Sequence, residues 1–330
     1  MKIICFHLNQ VGDLAFSLPA LKCLRDSFRD AHITSVARPN CCSLLTATGL
    51  IDNVLPRNRG INLNKLMLAG RIMAARYDLA VVFSQSADCA VLAYLSGAKR
   101  RVGFVNTSLG SLLTEQVSFT HPPSTQNNLN LIAALGCEIT SHDYSGLLKL
   151  TEDQCAAGDN VLARHGISAE DKIVAFAPGT SDRRSVKEWT DEGYAKVGRH
   201  LIDRGYKVVV LGTIPAVEIT SLCESIVDLS AATSLDEAAG ILNRCLTLVA
   251  VDSGMLHLAA ALGKKVVGLY GPSNWQVTGP QGEGHKLVIS GEECSPCMQT
   301  VCKFGRKCMT NIDVQEVISC VESIIAVEAG

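Results

Sequence analysis

The sequence predicts an α/β protein of two doubly wound domains, each a parallel sheet with helices on both faces. Three observations carry that expectation. Short apolar runs rich in Val and Ile alternate with helical segments along the whole chain, the pattern of strand–helix–strand units whose strands are buried on both faces. The alternation begins again after a capped helix at Thr151–His165, so residues 1–150 and 151–330 read as two domains of one architecture without obvious sequence repetition. The stretch LTLVAVDSGMLHLAAALGKKVVGLYGPSNW, Leu246 to Trp275, holds one complete unit. In it a strand at Leu246–Val251 breaks at Asp252-Ser253-Gly254. A helix at Met255–Leu262 stops at Gly263, and a strand at Val266–Tyr270 ends in Gly271-Pro272-Ser273.

In chain order, Lys2–Leu8 is the first strand and Asn9–Asp13 the loop after it. A helix runs from there to about Phe28, with Pro19 in its first turn or at a kink. His32–Ala37 is a strand, Cys41–Thr48 a short helix, Asn53–Leu55 a short strand, Ile61–Arg76 a helix by its period, Leu79–Phe83 a strand and Asp88–Leu95 a helix. Arg101–Val105 and Gly146–Leu150 are expected to close the first sheet, with a helix near Asn128–Leu135 between them. In the second half, strands are expected at Lys172–Ala177, Lys207–Leu211, Val227–Leu229 and His285–Ile289. Helices are expected at Asp191–Arg204, Ile214–Ser225, Leu235–Asn243 and Asp313–Val327.

Composition narrows the function classes. With 47% hydrophobic and 19% charged residues the chain is a globular protein and not a disordered one. A net charge of −2 argues against general nucleic-acid binding. Basic groups at Lys99-Arg100-Arg101, Arg183-Arg184 with Lys187, and Lys303-Arg306-Lys307 read first as solvated surface. Arg244 and Asp252 interrupt the longest apolar region, and the apolar start, Ile3–Leu8, is too short for a signal peptide. A cytoplasmic protein is therefore expected, with its 14 cysteines reduced.

The turn Asp252-Ser253-Gly254 lies where a strand ends and a helix begins, the place where open α/β sheets bind ligands and where free N–H groups and the helix dipole favour an anion. Asp252 could cap the helix, Ser253 could donate to a phosphate oxygen, and Gly254 lets backbone approach closely. A plain helix cap with a core histidine at His257 fits the same residues. No G-x-G-x-x-G follows the first strand, where Gly12 stands alone, so a dinucleotide-dependent dehydrogenase loses its main support.

Four groups of residues together resemble one family, the bacterial heptosyltransferases that extend the inner core of lipopolysaccharide. They are Val11-Gly12-Asp13 with Leu18-Pro19-Ala20-Leu21; Ala177-Pro178-Gly179-Thr180 with Lys187 and Trp189; Asp252-Ser253-Gly254 with His257 through Gly263; and Gly271-Pro272-Ser273 with Thr278-Gly279-Pro280. The resemblance spans nearly the whole chain. It implies the GT-B fold of two facing Rossmann-like halves. An ADP-heptose donor is expected mainly on the second half and a lipopolysaccharide core or other glycan acceptor mainly on the first. Transfer with inversion and without a catalytic metal is implied as well, as is an enzyme at the cytoplasmic face of the inner membrane in peripheral contact with it. A protein hydroxyl as acceptor, a non-catalytic sugar-nucleotide-binding protein and an epimerase of the same fold are the alternatives.

Inverting transfer needs a base for the acceptor hydroxyl and positive groups for the departing diphosphate. The resemblance assigns the base to Asp13, whose other reading is a helix N-cap. It places Thr180, Ser181 and Lys187 at the diphosphate, Ser181 departing from threonine but keeping the hydroxyl. By the same resemblance Asp252 meets sugar hydroxyls, and Ser253 and Gly254 face the diphosphate. His257 either hydrogen-bonds nearby or packs, and Glu218 either accepts ribose hydroxyls or is an exposed helix residue. Separately, Cys294, Cys297, Cys302 and Cys308 fall within fifteen residues. Four thiolates in one loop suit a structural zinc or iron ion, with no open position for catalysis; reduced, partly buried thiols are the other reading.

Overall fold

The computed structural model describes the chain except residues 9, 59, 61–62, 121–122, 181–184 and 329–330 and the side chain of residue 328. It divides into two units, Met1–Lys149 and Leu150–Gly330.

The first unit is built on six parallel strands: β1 (Lys2–Phe6), β2 (His32–Ala37), β3 (Asn53–Pro56), β4 (Leu79–Val82), β5 (Arg100–Phe104) and β6 (Glu115–Val117), in the order β3-β2-β1-β4-β5-β6. Among the described residues five α-helices accompany them: α1 (Val11–Ser27), α2 (Cys42–Ala47), α3 (Leu63–Ala75), α4 (Ala87–Leu95) and α5 (Ser124–Ala134). Leu68 and Ile72 of α3 and Cys89, Leu92 and Ala93 of α4 pack on Ile4, Phe6, Val36, Ala80 and Val82 of the strands. Helices α1 and α5 pack on each other. Pro19 lies inside α1 and not in its first turn. The expected closing strand at Gly146–Leu150 does not form. Glu115–Val117 takes the edge instead, pairing Val102 with Glu115 and Phe104 with Val117. Its polar pattern hid it, since an edge strand tolerates Glu115, held by Arg100 at 2.8 Å, where a central strand would not.

The second unit repeats the plan with β7 (Ile173–Ala177), β8 (Lys207–Val210), β9 (Val227–Asp228), β10 (Thr247–Val251), β11 (Val266–Tyr270) and β12 (Lys286–Ile289), ordered β12-β11-β10-β7-β8-β9 and all parallel. Its helices are α6 (Glu152–Arg164), α7 (Asp191–Ile202), α8 (Val217–Leu222), α9 (Leu235–Arg244), α10 (Gly254–Ala261), α11 (Trp275–Thr278), α12 (Lys307–Thr310) and α13 (Val314–Glu328). Helix α8 is shorter than the expected Ile214–Ser225, because Pro215 precedes it and Cys223 turns extended after it. Val317, Val321 and Ile324 of α13 join Val174, Phe176, Val249 and Leu269 of the sheet in one core.

Helices α6 and α9 each start with a capping box, Thr151 with Gln154 and Ser234 with Glu237. They cross at Gly158 and Gly240 with backbone on backbone. A β-carbon on Gly158 would lie 2.3 Å from the Gly240 carbonyl carbon, and one on Gly240 would lie 2.4 Å from the Gln154 carbonyl oxygen.

Candidate functional site

In the second unit the chain leaves β7 for β8 and β9 on one side and returns with β10 on the other. Strands β7 and β10 are neighbours, paired from Val174–Thr247 to Ala177–Ala250, so the crevice at their carboxyl ends is the topological switch point where such sheets bind ligands. The loops after these two strands carry Thr180, Lys187, Asp252, Ser253 and Gly254. Lys187 ends a short 3-10 turn, Ser185–Lys187, and its Nζ donates to Asp252 Oδ2 at 2.5 Å. The pair is largely withdrawn from water, with the two side chains 13% and 9% exposed. His257, one turn into α10 and buried, brings Nε2 to 3.6 Å from Asp252 Oδ1.

Burial by itself would raise the Asp252 carboxyl. The hydrogen bond from His257 and the Lys187 charge reverse that and hold it well below the usual carboxylate range. Asp252 thus serves as the anionic centre of a Lys–Asp–His group and does not cap the helix. The N-cap of α10 is Ser253, whose side chain makes no capping bond. Ser253 Oγ and Ser273 Oγ are both buried without a hydrogen-bond partner among the described residues. Buried hydroxyls in that state suit a ligand's oxygens, and the amino end of α10 adds N–H groups and a positive dipole end beside Ser253.

The remaining expected residues of this unit divide. The backbone N–H of Thr180 donates to the Glu188 carboxylate. Burial pushes that carboxyl up, and the Thr180 N–H and the Arg306 charge partly restrain it. Ser181 lies outside the described residues, with Arg183 and Arg184. Glu218 is exposed in the first turn of α8, after β8 at the same edge of the sheet. Its charge adds to burial and to Glu192 in raising the Asp191 carboxyl.

Arg306 was not singled out from its basic cluster, and the structure corrects that. It is half-buried and donates through Nη1 to the carbonyls of Ser185 at 3.0 Å and Glu188 at 3.2 Å, on either side of Lys187. Arg306 belongs to the cysteine loop, and the loop also grips the turn after β11. Ser295 Oγ donates to the Gly271 carbonyl at 2.5 Å and Met298 N–H to the Pro272 carbonyl at 2.8 Å. A side chain at Gly271 would collide with Met309 Sδ at 2.5 Å. The loop therefore buttresses two of the turns at the sheet's carboxyl edge.

The cysteines themselves are the right donors for zinc or iron. Cys302 Sγ accepts N–H bonds from Phe304 and Arg306, each at 3.3 Å. Burial first, then the neighbouring Cys294, Cys297 and Cys302, push the Cys308 thiol up. Among the described residues, however, no three His, Cys, Asp or Glu side chains are gathered as a metal-binding group.

In the first unit, Asp13 is the third residue of α1, half-buried, and follows the carboxyl end of β1. The N-cap position belongs to Gln10, so the N-cap reading of Asp13 is excluded. The switch point of this sheet lies between β1 and β4, the strand before Asp13 and its neighbour. His7, one residue past β1, went unnoticed in an apolar run. It is fully buried, with Nδ1 3.0 Å from Ser17 Oγ and Nε2 3.0 Å from Ser35 Oγ. Burial, and then the charge of Arg57, lower its pKa to about 3 and keep the ring neutral.

Comparison with known proteins decides the family. The model of glycosyltransferase family 9 (heptosyltransferase) matches residues 66–308. The chain belongs to glycosyltransferase family 9. It is 27% identical to lipopolysaccharide heptosyltransferase 2 of Escherichia coli K12 over 306 residues, covering 87% of this chain and 88% of that protein. Among solved structures, a family 9 glycosyltransferase from Veillonella parvula superposes with a TM-score of 0.85 at 21% identity, covering 99% of this chain and 97% of the other. The E. coli ADP-heptose heptosyltransferase II structure does so with 0.82 at 24% identity over the whole of both chains. Family 9 membership makes the protein a glycosyltransferase, and its two Rossmann-like sheets are those of the GT-B fold. No helix among its described residues is long and apolar enough to cross a membrane.

Proposed function

We propose that the protein transfers a heptose from ADP-heptose to a hydroxyl of a lipopolysaccharide inner-core acceptor, with inversion at the anomeric carbon. The acceptor oxygen attacks that carbon and its proton passes to the Asp13 carboxylate. The bond to the diphosphate breaks, and its electron pair leaves with ADP. Lys187 meets the negative charge that gathers on the departing diphosphate. Asp252 is held ionised for sugar hydroxyls, and Ser253, Gly254 and Thr180, with Ser181, bind phosphate oxygens. Glu218 accepts from the ribose. The donor would lie on residues 151–330 and the acceptor on residues 1–150, with the enzyme working peripherally at the cytoplasmic face of the inner membrane.

The observation that carries this reading is the Lys187–Asp252 pair at the switch point, beside two partnerless serine hydroxyls and a helix amino end, in a chain of this family. That combination offers an anion a cation and N–H donors, and offers a sugar a carboxylate. The test mixes the enzyme with a delipidated inner-core oligosaccharide and ADP-, UDP- or GDP-activated sugars, and follows products by mass spectrometry. Heptose addition from the ADP donor is expected. A preference for a uridine donor, or consumption of donor without acceptor, contradicts the reading.

For the cysteine loop we propose a structural zinc or iron ion, which would draw the sulfurs of Cys294, Cys297, Cys302 and Cys308 together beyond the arrangement described above. Metal analysis of protein purified without added metal should then find one of the two, and a chelator should lower the melting temperature. Protein with neither metal overturns it.

A further inference from the structure

Helix α3 has two apolar faces, and only one is covered. Leu68 and Ile72 point into the core. On the opposite side Leu63, Leu66, Met67 and Met73 stand 71%, 66%, 58% and 51% exposed, joined by exposed Gly70 and Ala74. The positions 63, 66, 67, 70, 73 and 74 follow helical spacing, so they form one continuous stripe and not scattered surface residues. Neighbouring α4, tied to α3 by the Lys65–Asp88 ion pair at 2.6 Å, adds exposed Val91 and Tyr94.

The charges beside the stripe indicate what it meets. From Asn53 to Tyr77 the sequence has five basic residues and no acidic one. Arg71 is exposed beside the stripe and Arg76 is exposed just past the end of the helix, whereas Arg57 is buried and Lys65 is paired with Asp88. The Arg101 guanidinium lies 5.6 Å from the centre of the Tyr94 ring. The first carboxylates after Tyr77 in sequence are engaged: Asp88 with Lys65, and Asp78 with the backbone N–H of Lys2 at 2.7 Å. Apolar side chains on the outward face of a helix, flanked by arginines and an amphipathic tyrosine, form the pattern that lies flat in a lipid interface and favours anionic headgroups.

We propose that α3, with the adjoining edge of α4, docks the protein on an anionic bilayer. The proposal deepens the reading given above, since it names the element that would bring the enzyme to a lipid-anchored acceptor. The test is flotation with vesicles of pure phosphatidylglycerol against pure phosphatidylcholine, without donor or acceptor, so it does not depend on turnover. Wild-type protein should float with phosphatidylglycerol and not with phosphatidylcholine. Leu66→Gln/Met67→Gln/Met73→Gln should lower partitioning about tenfold or more and Arg71→Ala about fivefold, with the melting temperature unchanged because these side chains are exposed. The triple variant should retain full transfer to the delipidated oligosaccharide, and absence of that transfer in wild-type protein would count against the enzyme reading alone. Failure to float, flotation unaffected by the triple variant, or a dimer in sedimentation that the variant dissociates would overturn the docking proposal.

Discussion

His7 and Asp252 are both buried titratable groups with depressed pKa values, and they meet acid in different ranges. The unfolded imidazole titrates near 6.5 and the folded one at about 3. Between these values the unfolded chain holds a proton that the folded chain excludes, so stability falls as pH drops through that window, by about 1.4 kcal/mol per pH unit. Asp252 starts lower. Its contribution is intact above the ordinary carboxylate value of 3.8 and is lost as pH falls below it. Urea unfolding at about pH 6.5 and about pH 5 should therefore cost the wild type roughly 2 kcal/mol more than His7→Gln; equal losses would contradict a neutral buried His7. Asp13 poses a different question. At the third position of α1 its charge favours the helix by about 0.3–1 kcal/mol, so Asp13→Asn should lose little stability. Turnover should fall about 10²–10⁴-fold if the carboxylate is the base, and near-normal turnover would leave it a helix-terminus charge.

At the scale of elements, the glycine crossing of α6 and α9 reverses the usual sign of a glycine substitution. On an unpacked helix Gly→Ala stabilises by about 1 kcal/mol. At Gly240 the added carbon meets backbone that cannot turn aside, so Gly240→Ala should destabilise by about 1–3 kcal/mol. A variant as stable as the wild type would mean that the helices slide apart without cost. Neither glycine was legible as a contact, because their approach depends on two helices separated by three strands and two helices of sequence. The central strands were legible, since β1, β4, β7, β10 and β11 are apolar runs apart from Lys2 and Thr247 at the first positions of β1 and β10. β6 was missed because a three-residue edge strand with Glu115 and Gln116 shows no such run. Arg306 was hidden for a related reason: its basic neighbours suggested solvent, and only the folded loop carries its guanidinium to the carbonyls around Lys187.

For the whole molecule, two sheets with one strand order place equivalent loops at equivalent switch points, which is why four short groups of residues pointed to a family and a fold together. The partners at the second switch point were a matter of folding. Lys187 and Asp252 are 65 residues apart, and both were expected to face ligand separately. In the structure they face each other, so on the proposed reading a diphosphate would share the ammonium with a carboxylate already in place. Removing the lysine strips the site of that cation and leaves Asp252 buried beside His257 alone, at a cost of about 3–5 kcal/mol in stability. The most direct test of the account is calorimetric titration of ADP-heptose into the wild type and Lys187→Met below the variant's melting temperature. Saturable binding by the wild type and at least about tenfold weaker binding by the variant are expected. Equal affinities in the two folded proteins would contradict it.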